Sequence, residues 1–388
     1  MTMRSLQIFL IVSVAFAADP KKVQLPAPYH TPSATNPPKV VGQPDGRQLT
    51  VPAGFTIKEF AGGFKKPRIM LQLPSGPVLV ADSVPGGSVI ALTNFGKQRK
   101  DLITGLARPF GLALHQGYLY VSEDEAIKRF KLDESNLSAG PAESVVSLKG
   151  FNKGHWTRSI AFEPKTGKMF VSVGSGSNVD TGDPANRAAI NVYNPDGSGH
   201  QIFATGLRNP VSISFHPTSR QLWTTVQERD GLGDDLVPDF FTSVKQGAFY
   251  GWPFAYIGPN EEPRHKGAAP DMVAKTIAPD VVLPAHVAAM DFLFYTGKQF
   301  PSRYRNGAFI AQRGSGNRSK RIGYNVVFIP FKGAKPNGPP EEFLGGWMMD
   351  AGQREVWGRP VGIAQLTDGS LLVSEDGNNK IWHLSYKK

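Results

Sequence analysis

Apolar and polar residues alternate along SISFHPTSRQLWTTV, from Ser212 to Val226, on both sides of a polar turn. That spacing predicts strand, turn, strand. The same unit recurs, starting at Pro67, Pro109, Thr157, Pro210, Ala289 and Pro360. In each copy an apolar start leads into a hairpin whose second strand ends in small or polar residues, as in VADS, VSED and VSVGSG. The first four starts lie 42, 48 and 53 residues apart, room for four short strands, and the last two intervals, of 79 and 71 residues, predict long insertions. Six antiparallel units repeated around an axis make an all-β, six-bladed β-propeller. A pair of β-sandwiches is the alternative, but it gives no reason for the shared endings. The stretch Thr56–Phe60, ahead of the first copy, is expected to join the last blade and close the ring. Long inter-strand loops then gather at one channel mouth, where function is expected.

Composition adds exclusions. The 388 residues include no cysteine, which removes disulfides, thiolate nucleophiles and cysteine-based zinc sites. Residues 1–17 have Arg4, an apolar run and Ala15-Phe16-Ala17, the pattern of a signal peptide. Export to the periplasm or the medium is therefore expected, and the run is short for a membrane span. Residues 18–50 are proline-rich and read as a linker or a surface-hugging arm ahead of a propeller at 51–388. The formal net charge is +11, yet Lys and Arg are scattered rather than set in a stripe with aromatics. A nucleic-acid partner is not expected, and nor is an integral membrane protein.

Against that charge stands QERDGLGDDLVPDFF, from Gln227 to Phe241, with Glu228, Asp230, Asp234, Asp235 and Asp239. Carboxylates and turn carbonyls around glycine are hard oxygen ligands that suit calcium, although the loop lacks EF-hand spacing. A solvated acidic loop is the other reading. Arginines stand where the chain enters the repeats: Arg108 before Pro109, Arg158 in WTRS, Arg208-Asn209 before Pro210 and Arg359 before Pro360. Arranged around one axis, they make a cationic ring suited to a carboxylate or phosphate ligand, or they cap loop carbonyls. His155, beside Trp156, falls at the same end and is a candidate proton acceptor.

Taken together, Gly154-His155, Ser172 to Asn178, Gly206 to Pro210, Glu228 to Leu236 and Tyr250 to Pro253 resemble the soluble quinoprotein sugar dehydrogenases, the glucose/sorbosone dehydrogenase family. The resemblance covers roughly residues 50–386 and is nearer the sorbosone-dehydrogenase-like branch. It implies a six-bladed propeller holding pyrroloquinoline quinone (PQQ) and calcium at the channel mouth. The implied reaction oxidises a sugar alcohol or aldehyde and passes electrons to an external acceptor such as a quinone, cytochrome or dye. His155 is then the general base, and Arg208 with Asn209 contacts the quinone. Arg359, with Arg318 and Arg108, faces the cofactor's carboxylates. Asp230 and Gly231 offer carbonyls to calcium, with Asp234 and Asp235 behind them. Gly154 stands where glucose-oxidising members carry an acidic residue, which argues against glucose. A calcium-dependent propeller lactonase and a non-enzymatic binding propeller remain the alternatives.

Overall fold

The structure, a computed structural model, describes residues 24–387; the expected signal segment at 1–17 lies outside them. Six antiparallel blades follow one another, the second with five strands and the others with four. Their first strands are Pro67–Gln72, Leu112–His115, Ile160–Phe162, Asn209–Phe215, Ala289–Phe294 and Pro360–Gln365. These strands touch one another in sequence around the axis, and the sixth touches the first. The fold is thus the six-bladed propeller expected. Phe55–Ala61 pairs antiparallel with Lys380–Tyr386, so the start of the propeller supplies the outer strand of the last blade and the ring closes.

The core is divided. One apolar cluster lies between each pair of neighbouring blades, such as Leu79 and Val89 against Leu119 and Val121 between the first and second. Side-chain oxygens add stitches from one blade to the next first strand. Ser122 Oγ donates to the Arg158 carbonyl at 2.6 Å, Ser159 Oγ to Val211 at 2.8 Å and Ser374 Oγ to Arg68 at 2.6 Å. Buried Asp291 accepts from Ser212 Oγ on one side and the Ile363 amide on the other, joining blades four, five and six. The small and polar residues that end each second strand therefore serve the fold, because they satisfy backbone groups at the crowded axis. Below them the axis opens into a cavity of about 420 Å³ lined by all six first strands.

Two additions reach the mouth. Residues 244–280, inserted in the fourth blade, climb the outer edge of the third: the Thr205 amide bonds the Ala248 carbonyl and the Trp252 amide the Gly206 carbonyl. The proline-rich arm lies on the surface. Tyr29 bonds the Leu232 carbonyl, Asn36 the Gly316 carbonyl, and Lys39–Val40 pairs in parallel with Glu355–Val356. Among the described residues no helix is long and apolar enough to cross a membrane.

Ring closure rests heavily on Phe55, which is buried and meets Phe300, Tyr304, Phe343 and Tyr386 at centroid distances of 4.8, 5.4, 5.0 and 4.9 Å. Phe55→Ala should cost about 3–5 kcal/mol. Urea unfolding would show it; an unchanged midpoint would mean that the closing strand contributes little.

Candidate active site

Each first strand leaves the same end of the axis and each second strand returns to it. The register pairs Asn209 with Gln227 and Pro360 with Glu375, so residues just before a first strand meet residues just after a second. That topology brings His155, Arg208, Asp230 and Arg359 to one mouth. Contacts run around it without a break. Gly174 packs between His155 and Asn209, Arg208 reaches Asp230, and Asp230 reaches His286. The backbone beside His286 bonds Arg313 and Gly314, whose carbonyls take Arg359. Asp376 joins Arg313 to Arg68, and Arg68 and Arg108 both lie over the Trp156 ring, at 5.5 and 4.8 Å.

His155 Nδ1 lies 3.0 Å from both the carbonyl and the Oγ of Ser175. The carbonyl only accepts, so Nδ1 carries the proton and Nε2 keeps a free lone pair. Among the described residues Nε2 has no partner. Burial, and then the positive charges of Arg208 and Arg187, lower the histidine to about 3, so the ring is neutral at ordinary pH. Glycine is required at both neighbours. Gly154 has φ +72°, and a Cβ there would collide with Gly176; a Cβ on Gly174 would come within 2.5 Å of Asn209 Oδ1. The glycine that departs from the glucose-oxidising pattern thus also has a backbone reason. Arg208 is buried and commits its donors to the Asn178 carbonyl (3.0 Å), Asn178 Oδ1 (2.8 Å) and the Glu228 carbonyl (2.7 Å). Asn209 donates to Gln227, but its buried Oδ1 accepts no hydrogen bond among the described residues.

The acidic loop is neither a bare cation trap nor simply solvated. Glu228 pairs with Arg229 at 3.0 Å and Arg229 with Glu262 at 3.4 Å, all three side chains fully buried. Asp239 accepts from the Glu228 and Ala289 amides, and burial pushes it up to about 7. Asp234 takes the Ser319 amide at 2.9 Å, and Asp235 pairs with Arg318 at 2.6 Å. Arg318, expected to face a cofactor carboxylate, is therefore committed to the loop, and Asp234 and Asp235 are committed to protein donors. The Asp230 carbonyl already accepts from Asn178 and Arg264, each at 2.9 Å. The Gly231 carbonyl accepts no hydrogen bond among the described residues. Nor do the described residues gather three His, Asp or Glu side chains that could hold a metal ion.

Sequence reasoning missed several residues here. His286 lies 3.0 Å from the Asp230 carboxylate and 3.0 Å from the Gly233 carbonyl. Burial works against its charge, yet those two acceptors raise its proton affinity overall. Nothing in AHVA, Ala285 to Ala288, signals this. Arg68 and Arg313 could have been found, since each flanks a repeat start or end as Arg108 and Arg359 do. Both bind Asp376, at 2.6 and 2.9 Å, with Arg359 beside them, whose guanidinium pairs with no carboxylate among the described residues. Burial lowers Arg68 and Arg359 to about 10. Arg108 pairs with Asp124 at 2.7 Å and is about a third exposed.

The family model described as TrAA12-like matches residues 49–238 and 261–387. The chain belongs to the TrAA12-like family. A Borreliella burgdorferi relative, described as an uncharacterized protein, is 28% identical over 88% of this chain and 91% of its own. The PQQ-dependent pyranose dehydrogenase of Coprinopsis cinerea is 23% identical over 88% of this chain and 55% of its own, so the chain spans about half of that enzyme. Among solved structures, the calcium structure of the Trichoderma reesei carbohydrate-active enzyme family AA12 superposes with a TM-score of 0.74 at 21% identity. It covers 91% of this chain and all of its own. The holo PQQ domain of the Coprinopsis cinerea dehydrogenase gives 0.74 at 20%, covering 90% and 99%. These structural likenesses show a shared propeller fold. This TrAA12-like chain thus has a PQQ-dependent pyranose dehydrogenase among its relatives.

Asp376 gives the mouth a pH signature. Burial opposes its charge, but Arg68 and Arg313 hold it far below the ordinary 3.8. Its contribution is therefore complete above pH 3.8 and is lost as pH falls toward the lower folded value. Asp376→Asn should cost about 3–5 kcal/mol at about pH 7. Its urea midpoint should also fall less steeply than the wild type's between about pH 5 and about pH 2.5. Parallel slopes would contradict the pairing.

Proposed function

We propose that this protein oxidises a sugar alcohol or aldehyde with PQQ bound at the channel mouth. The observation that carries the reading is the surplus of guanidinium there: Arg68, Arg313 and Arg359 surround one carboxylate, Asp376. PQQ is a planar tricarboxylate, and arginine's fork suits carboxylates. Asn209 Oδ1, buried and without a partner among the described residues, is a further polar group near His155. The PQQ-dependent pyranose dehydrogenase relative supports the same cofactor.

In this reading Arg359, Arg313 and Arg68 hold the carboxylates, while Arg208 and Asn209 hold the quinone end. Bound PQQ supplies an electrophilic carbonyl that accepts the hydride from the sugar carbon. His155 accepts the hydroxyl proton at Nε2, its tautomer set by the Ser175 carbonyl. Burial is the larger cause of the low proton affinity of the ring; a bound anion would offset only the smaller part that comes from Arg208 and Arg187.

Calcium enters only in a narrow form. The loop's carboxylates and the Asp230 carbonyl are engaged, so they do not make a calcium site on their own. The Gly231 carbonyl and the cofactor's oxygens would have to supply ligands. The same engagement weighs against a lactonase, which needs its carboxylates on the metal. Gly154 favours a sorbosone-type over a glucose-type substrate. Export, and electron transfer to a quinone, cytochrome or dye, complete the proposal; export rests on the pattern at 1–17.

Titrating the purified protein with PQQ should give a new absorbance band and, with an aldose present, dye reduction. His155→Ala should lower kcat by roughly 10²–10⁴ and leave PQQ binding intact. A spectrum that is only the sum of protein and free PQQ would reject the reading and favour a binding propeller.

A further inference from the structure

Asn178 lies in the loop after the second strand of the third blade, yet it makes five hydrogen bonds to three distant segments. Its Nδ2 donates to the Asp230 carbonyl at 2.9 Å, and its Oδ1 accepts from the Asp230 amide at 2.9 Å. The same Oδ1 accepts from Arg208 Nη2 at 2.8 Å. Its own carbonyl accepts from Arg208 Nε at 3.0 Å and from Trp252 Nε1 at 3.0 Å. The side chain therefore reads the peptide of Asp230 as a neighbouring strand would, one donor and one acceptor against one acceptor and one donor. Among short side chains only a carboxamide offers both. Aspartate lacks the donor, and serine lacks the reach.

Arg208 is thereby held on two edges. Asn178 takes Nε and Nη2; the Glu228 carbonyl takes Nη1. Truncating the side chain takes the Oδ1 acceptor from Nη2 and both bonds from the Asp230 peptide, while the Asn178 backbone carbonyl still holds Nε, so the fork keeps one edge and loses the other. Trp252 shows why the 244–280 insertion climbs to the mouth: its indole braces the loop carrying Asn178.

We propose that Asn178 is a positioning residue, a clamp that locks the Arg208 guanidinium and the Asp230 peptide together and so fixes the direction in which Arg208 meets an anionic ligand. That the ligand is PQQ rests on the function proposed above; the clamp itself does not. Its effect is pre-organisation, since a fork already aimed loses less entropy on binding.

Three measurements on the full chain test this. Without PQQ, hydrogen exchange followed by mass spectrometry should quicken in Asn178→Ala at residues 206–210 and 228–236, with the first and sixth blades unchanged. Asn178→Asp keeps both accepted bonds and should restore part of the protection at 206–210. With PQQ, absorbance titration should show binding weakened roughly tenfold to a hundredfold in Asn178→Ala, the range expected for lost hydrogen bonds to a charged group. In an Arg208→Lys background the same substitution should add little, because the clamp acts through the fork it holds. Unchanged exchange together with unchanged PQQ affinity would overturn the proposal, as would full additivity with Arg208→Lys. Should the wild type itself take up no PQQ, the proposed function falls and the exchange data alone decide the clamp.

Discussion

Three guanidiniums converge on one buried carboxylate at the channel mouth. Asp376 pairs with Arg68 and Arg313 while Arg359 stands beside them, so the cluster keeps an excess of positive charge. Burying such charge is costly unless it is matched. Carbonyls offset part of that cost: Arg359 leans on Arg313 and Gly314, and Arg208 on Asn178 and Glu228. In the proposed function an anionic ligand matches the remainder. The six blades bring chemistry from six separate stretches of chain to one rim.

The acidic loop is the counterpart of that cluster. A chain of net charge +11 places five carboxylates in fifteen residues because the loop is an internal counter-charge. Glu228 and Glu262 neutralise Arg229, Asp235 neutralises Arg318, and Asp230 sits between Arg208 and His286. The loop's carboxylates thus hold the rim together. Of them only Asp230 acts on His155, weakly opposing the charges of Arg208 and Arg187, and none of them pairs with Arg68, Arg313 or Arg359. Arg313 and Arg359 could not be aimed at a ligand if the rim beneath them drifted. The arm, bonded to both the acidic loop and the 315–321 loop, adds to that rigidity.

The propeller is legible in the sequence because its repeat is local. An alternating hairpin and a small polar ending can be read six times without knowing what they touch, and Thr56–Phe60 fits only as the missing outer strand. The rim is legible in part. His155, Arg208, Asp230 and Arg359 flank strands, so their common end follows from topology. Arg318 and the pair Asp234–Asp235 signal only their charge, and charge does not say which partner is satisfied. In the structure Asp235 satisfies Arg318, and Asp234 satisfies Ser319. His286 and Asn178 are invisible as actors for a related reason: their partners lie 56 and 52 residues away, across blade boundaries. Arg68 and Arg313 carry the same positional signal as Arg108 and Arg359, but neither stands in an Arg-Pro pair, so they do not stand out.

The central claim is that the uncompensated guanidinium cluster is the binding site of a planar polycarboxylate. A crystal structure of the protein grown with PQQ tests it most directly. The account predicts PQQ in the mouth, with carboxylates on Arg313, Arg359 and Arg68, its quinone end toward Arg208 and His155, and the Asp234–Ser319 and Asp235–Arg318 contacts unchanged. PQQ bound elsewhere, or an empty mouth at saturating PQQ, would contradict it.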